Sequence, residues 1–170
     1  MKALTISEPW AWATVDASLI NDRWKCVENR RETFPRFTGR LLIHSGKSRT
    51  YVPAWPDCQA VIRRALGRTS PAFAELAGRG LIGVAEVCAT VPISELARPA
   101  PWMAEHGLDH GRLKLWAEGP KCLCFAWVAP FDEPIPYRGQ EGLFNVPDAV
   151  VEDAVELAIE RAGIRQFGGG

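Results

Sequence analysis

Three apolar runs that lie far apart in the chain constrain its fold more than any other feature. They cover residues 39–44, 81–91 and 121–129. Short apolar runs that carry β-branched or aromatic residues are typical of buried strands. Helical or proline-rich segments separate the three runs, so the sequence predicts an α+β domain. The pattern alone does not say whether the sheet closes.

Three other segments have helical character. We predict helices over residues 8–20, 55–66 and 147–162. Ser7 is a suitable N-cap for the first of these helices, because its hydroxyl can accept from a free backbone N–H. Gly163 follows the last one, where a residue with a left-handed backbone commonly ends a helix.

Less regular segments fill the rest of the chain. Residues 24–30 predict a short extended segment, and residues 92–119 predict short helical pieces at best. Pro134 and Pro136 cannot lie in a central strand, because proline has no N–H to donate to a neighbouring strand. We therefore expect an edge or a turn at these two prolines.

Composition limits the class of protein. The chain has 170 residues, of which 47% are hydrophobic and 24% charged. These values are typical of one globular domain, which we place at residues 1–167 with a flexible tail at 168–170. Because the net charge is zero, a general nucleic-acid coat is excluded, but a small site for one or two nucleotides is allowed. No apolar run approaches the ~20 residues of a membrane span.

The cysteines allow two interpretations. Their odd number and the absence of a secretion-like start predict reduced thiols in the cytoplasm. His106 and His110 could join Cys122 and Cys124 in a zinc site. Structural zinc sites use wider cysteine spacing, so we expect both cysteines to be core residues. We predict neither a metal nor a cofactor.

Six short segments occur in an order that resembles the ASCH family. They are residues 6–11, 25–30, 39–47, 83–87, 134–139 and 142–144. The resemblance covers about residues 2–146. It implies a PUA-like β-barrel of about five or six strands with flanking helices and a helix-lined cleft. It also implies that the partner is RNA or a nucleoside, and some members of the family are hydrolases.

One branch of the family resembles 4-acetylcytidine amidohydrolases, whose catalytic set is a Lys, a Thr and a Glu on a later strand. Carried over, the Lys falls on Lys25 and the strand Glu on Glu86. The Thr position falls on Glu28, which cannot act as a hydroxyl nucleophile. We therefore expect slow or absent turnover of 4-acetylcytidine. In a proposed RNA-cleaving branch, the corresponding region here holds Ser45, Lys47 and Tyr51.

The residues themselves favour a binding site. In an extended segment Glu28 and Arg30 share one face, and a turn would bring Lys25 round to them. Glu86 interrupts an apolar strand and needs a partner there, for which Lys25 or Arg30 is suitable. A carboxylate can accept from the exocyclic amine of a base, and Trp10 or Arg30 can stack on it. We therefore expect Lys25, Glu28 and Glu86 to converge in one cleft.

Further candidate ligand-binding residues lie outside this segment. Ser45 and Lys47 follow a buried strand, and Lys47 is placed to contact a phosphate. His44 is interpreted as a core histidine. Arg138 lies in a turn, where it either closes the cleft or is a surface charge. Three functions stay open, namely a binding module for RNA or a modified nucleobase, a hydrolase, and an interaction domain without a ligand, in which the ion pairs only hold the first helix in place.

Overall fold

The structure, a computed structural model, describes residues 1–164, so the predicted tail at 168–170 lies outside the described residues. The described strands are β1 (Lys2–Ile6), β2 (Val27–Arg30), β3 (Gly39–Ser45), β4 (Gly80–Pro92), β5 (Lys121–Ile135) and β6 (Leu143–Asn145). The helices are α1 (Trp10–Thr14), α2 (Trp55–Leu66), α3 (Phe73–Leu76), α4 (Pro101–Glu105), α5 (His110–Trp116) and α6 (Glu152–Arg161). Short 3-10 turns cover Asp16–Leu19, Ile93–Ala97 and Asp148–Val150.

The six strands form one curled sheet in the order β2-β5-β4-β3-β1-β6. Strand β1 runs parallel to β3, and the other neighbours are antiparallel. The architecture is an α+β fold with a half-barrel sheet, and its strand number agrees with the expected five or six. Within residues 1–164 the end strands β2 and β6 do not pair with each other.

The prediction of one continuous first helix is wrong. The five-residue helix α1 and the 3-10 turn that follows it stand where a single helix over residues 8–20 was expected. The carbonyl of Ala13 accepts from the backbone N–H of Lys25 at 2.8 Å, rather than from the residue four positions on. This long-range bond ends the helical ladder. It also fixes the segment before β2 against α1.

The prolines of β5 lie where the strand has a free edge. Strand β5 pairs with β2 only through residues 121–124, and beyond them it pairs with β4 alone. Pro130 and Pro134 fall in this one-sided stretch, where a missing N–H costs no ladder bond. The edge position expected for Pro134 is confirmed.

The sheet separates two apolar cores. The first core lies against α1 and α2 and includes Trp12, Val27 and Phe125. The second core lies against α6 and includes Phe144 and Ile159. Along β1 and β3, alternate side chains enter one core or the other.

No helix within the described residues is long and apolar enough to cross a membrane. All five cysteines carry free thiols, and Cys122 and Cys124 are fully buried in the first core, as expected of core residues. His110 bonds through Nε2 to the Leu96 carbonyl at 2.9 Å. Residues 1–164 contain no group of three or more His, Cys, Asp or Glu side chains that could hold a metal ion.

Candidate ligand-binding site

Glu28 links two cations on the segment that leads into β2. Its Oε2 accepts from Lys25 Nζ at 2.6 Å, and its Oε1 lies 3.0 Å from Arg30 Nη2. The side chains of Lys25 and Glu28 are only 4% and 10% exposed. The pairing of Glu28 with Arg30 follows from alternation along β2, and Lys25 comes round to them as expected. Because both partners of Glu28 are cations, the cluster carries a net positive charge.

Lys25 and Glu28 keep hydrogen-bonding capacity that the protein does not use. An ammonium group has three N–H donors, and Lys25 donates two of them, to Glu28 and to the Val27 carbonyl at 2.6 Å. Each carboxylate oxygen can accept two bonds, and each oxygen of Glu28 has one described partner. A donor and an acceptor therefore stand side by side for a ligand.

These two side chains line a small cleft of about 110 Å³. Its other walls are aromatic, aliphatic and polar side chains: Trp10, Asn29, Tyr51, Val61, Trp116 and Glu118. The rings of Trp10 and Tyr51 meet edge to face with centroids 6.0 Å apart. Burial and the nearby Glu28 carboxylate raise the pKa of Tyr51, so its hydroxyl stays protonated at neutral pH. Sequence reasoning missed Tyr51 as part of this cleft, because it lies on a loop far from Lys25 in the chain.

Asn29 fixes the far wall of the small cleft. Its side-chain N–H donates to the carbonyl of Trp116 at 2.8 Å, and its Oδ1 accepts from the backbone N–H groups of Glu118 and Gly119. The Trp116 ring donates in turn to the carbonyl of Arg23 at 3.0 Å. The wall is thus held by hydrogen bonds rather than by loop packing alone, which limits how far it can move.

A larger cleft of about 890 Å³ lies on the other side of Arg30. Three of its lining residues are cations, namely Arg30, Lys47 and Arg138, and one is an acid, Glu141. Arg30 also donates to the carbonyl of Thr5 at 2.8 Å, which joins β2 to β1 across three intervening strands of the sheet order. The structure therefore brings together three of the predicted ligand-binding residues in the larger cleft. Arg30 belongs both to this group and to the ion-paired cluster around Glu28.

His44 forms part of the wall of the larger cleft. Its Nε2 donates to the carbonyl of Tyr137 at 3.0 Å, since a carbonyl can only accept. Burial lowers the pKa of His44, so the ring is neutral and Nδ1 is left as an acceptor. Nδ1 has no partner among residues 1–164, and neither does the buried Nε of Arg30. His44 is a buried histidine, as predicted, but it also borders the cleft.

A strap over residues 136–142 covers the larger cleft. Thr5 Oγ1 donates to the carbonyl of Gln140 at 2.9 Å, and Tyr137 stacks on Phe144 with centroids 6.3 Å apart. Gly139 lies so close to His44 that a Cβ added there would stand 2.4 Å from the ring carbon Cε1. The turn that holds Arg138 is therefore packed onto the sheet, and only a glycine fits at its closest point.

Glu86 does not join the cluster. It lies on β4, and β5 stands between β4 and β2, the strand that carries Glu28. Its in-register neighbours are Arg40 and Trp127. Glu86 has no ion pair among the described residues and lines neither cleft. The structure therefore does not place Glu86 in the cleft that Lys25 and Glu28 line.

Ser45 is not available to a ligand either. It is fully buried, and its Oγ lies 2.8 Å from Glu8 Oε1 and 2.9 Å from the carbonyl of Leu76. Lys47 and Tyr51, the other residues of the predicted RNA-cleaving region, line different clefts. Within the described residues, neither of the two catalytic sets that the family resemblance implied comes together in one site.

Sequence reasoning also missed a buried ionic cluster beneath the site. Glu8 is fully buried, accepts from the Trp12 backbone N–H, and lies 3.3 Å from Arg79 Nη2. Arg79 pairs with both oxygens of Asp16 at 2.8 Å. Burial raises the pKa of the Glu8 carboxyl. Glu8 lies beside a proline at a predicted helix start, where a solvated acid is the usual expectation, so no local signal reveals its burial.

Comparison with known proteins leaves the family open. A scan against protein-family models finds no match, and a search of curated proteins finds none either. The resemblance to ASCH domains therefore stays a prediction.

Proposed function

We propose that the protein binds a ligand that contains a nucleobase, either a nucleoside or a residue of RNA, with the base in the small cleft. The observation that carries the proposal is the buried pair of Lys25 and Glu28 at an aromatic cleft. In this proposal the half-barrel is a PUA-like domain of the ASCH family.

The hydrogen-bonding pattern of the pair supports a base edge as the ligand group. A free donor on Lys25 beside a free acceptor on Glu28 complements an edge that carries a ring nitrogen or carbonyl beside an exocyclic amine. Trp10 and Tyr51 add aromatic surface, on which bases of any sequence can stack. A volume of about 110 Å³ equals a few water molecules at roughly 30 Å³ each, which leaves room for one flat ring system at most.

The test is a binding titration with the four common ribonucleosides and a short single-stranded RNA. We expect Glu28→Gln to weaken binding of the preferred base about tenfold or more, because a hydrogen bond to a charged group contributes roughly 1.5–3 kcal/mol. Glu86→Gln is the matched control, since it makes the same change outside both clefts. No binding by any of these probes would contradict the proposal, and an equal loss in both variants would contradict the site.

The same protein should leave 4-acetylcytidine intact. Lys25 is bonded to Glu28 rather than to a hydroxyl nucleophile, and Glu86 does not line the cleft that these two residues share. Incubation with 4-acetylcytidine followed by chromatography for released cytidine checks this expectation. Rapid deacetylation would show that the site works by chemistry other than the one argued here.

A further inference from the structure

We infer that the larger cleft is a phosphate subsite, so that the natural ligand is a nucleotide or an RNA strand rather than a free nucleoside. The inference deepens the proposed function and rests on it for the base in the small cleft. The cations of the larger cleft together hold the phosphate of the ligand whose base lies in the small cleft.

The charges of the larger cleft are unbalanced. Lys47 and Arg138 have no ion-pair partner within residues 1–164, and Arg30 shares its partner Glu28 with Lys25. Glu141 is the one acid among the described lining residues. His44 stays neutral and adds no charge. Cations gathered in a concave surface focus their field, so this cleft attracts an anion more strongly than the zero net charge of the chain suggests.

Arg30 has the position and the free donor that such a subsite requires. One Nη is bonded to Thr5 and Glu28, while the other Nη has no partner among the described residues and is not buried. The guanidinium group presents its donors as a rigid fork that matches two oxygens of a phosphate. Its side chain is 22% exposed, so it is held by the protein and still reaches the cleft.

The sizes of the two clefts determine which part of the ligand each cleft can hold. The small cleft admits one flat ring system, so the sugar and phosphate must lie outside it. The larger cleft, at about 890 Å³, falls within the roughly 300–1,000 Å³ of typical small-molecule sites. Because Arg30 borders the larger cleft and binds Glu28 of the small one, a base held by Glu28 lies next to the subsite.

The experiment compares each of the four ribonucleosides with its 5′-monophosphate by calorimetry at low salt. We expect the monophosphate of the preferred base to bind at least tenfold more tightly, and this gain to shrink as salt is added. A tetranucleotide without terminal phosphates, measured in parallel, distinguishes an RNA backbone from a free nucleotide. Inorganic phosphate should compete with the monophosphate and not with the nucleoside.

Variants separate the subsite from the base site. The double variant Lys47→Gln/Arg138→Gln should lose most of the gain from the phosphate while its affinity for the nucleoside is unchanged. Arg98→Gln, an exposed arginine that lines neither cleft, is the control and should keep the gain. Equal affinity for nucleosides, monophosphates and the tetranucleotide would overturn the subsite and leave the base site standing. A gain that survives in the double variant would also overturn it, and no binding by any probe would overturn both.

Discussion

At the scale of single residues, the site depends on one carboxylate, that of Glu28, which pairs with two cations. Glu28 accepts from Lys25 and forms an ion pair with Arg30, and Lys25 is almost completely buried. A buried cation that loses its counter-charge is strongly destabilising, whereas an acid that loses one of two cations keeps a partner. The three side chains are therefore not equivalent for stability.

We expect Glu28→Leu to lower the free energy of unfolding by about 3 kcal/mol or more, the usual cost of leaving a buried charge unpaired. Lys25→Met should cost clearly less, because Glu28 keeps Arg30 and methionine fills a similar volume. Urea denaturation of both variants at neutral pH measures the difference. The reverse order of stabilities would show that Arg30 does not compensate the charge of Glu28 once Lys25 is lost.

Much of this cluster could be predicted from sequence, because it is local. Alternation along a strand places Glu28 beside Arg30, and Lys25 is only three residues from Glu28. Arg138 and Tyr51 enter the clefts from distant loops, so their roles depend on tertiary structure. The prediction for Glu86 failed for the same reason, because sequence alone does not say that β5 separates β4 from β2.

At the scale of elements, Glu8 joins the start of α1 to the ends of two strands. Its carboxyl touches Ser45 at the end of β3 and Arg79 just before β4. Ser45 has one hydroxyl hydrogen, and the carbonyl of Leu76 can only accept it. A protonated Glu8 can supply the hydrogen of the other bond. The raised pKa of Glu8 and the bonding pattern therefore agree.

This protonation gives the fold a dependence on pH. Burial raises the pKa of Glu8 above its ordinary value of 4.5, so below pH 4.5 both the folded and the unfolded chain hold the proton. As the pH rises above 4.5, the unfolded chain releases the proton first, and stability falls until the pH passes the folded pKa. The contribution of Glu8 is thus complete in acid and is lost toward higher pH.

We expect Glu8→Gln to remove this dependence, because glutamine is neutral at every pH. Its unfolding free energy should fall less than that of the unmodified protein between pH 4.5 and the folded pKa of Glu8. Urea denaturation at closely spaced pH values measures both curves, and Glu156→Gln on the exposed face of α6 is the control. Parallel curves for all three proteins would contradict a buried, protonated Glu8.

Element prediction succeeded where the pattern was long. Helix α2 begins and ends at the predicted residues, and β3 and β4 lie within one residue of theirs. Strands β1 and β6 were not predicted, since they are only five and three residues long and are defined by their pairing with each other and with β3. The break after α1 arises from a hydrogen bond to Lys25, which no local window contains.

At the scale of the whole molecule, one sheet carries two cores. Six of the seven tryptophans lie in or against the first core, and Trp127 packs against the second. Because β1, β3, β4 and β5 line both cores, we expect the domain to unfold in one transition. The curl of the sheet could not be predicted, because it follows from strand order and long-range pairing.

We expect Ile159→Ala in the second core to lower the free energy of unfolding by about 2–4 kcal/mol, the usual cost of deleting a buried aliphatic side chain. Tryptophan fluorescence, which reports mainly on the first core, should shift by the same amount as circular dichroism. Leu157→Ala on the same helix is the control, since Leu157 is 42% exposed and should cost under about 0.5 kcal/mol. Two separate transitions would show that the cores are independent.

The hydrogen bond from Arg30 to the Thr5 carbonyl has a consequence for how a ligand enters. The edge strand β2 is linked there to β1 by a side chain alone, because β2 and β1 share no backbone ladder. A bond with one charged partner contributes roughly 1.5–3 kcal/mol, so this link can part without breaking any strand pairing. A ligand that binds Arg30 in the larger cleft and Glu28 in the small one would hold Arg30 in place, and binding would then stabilise the link between β2 and β1.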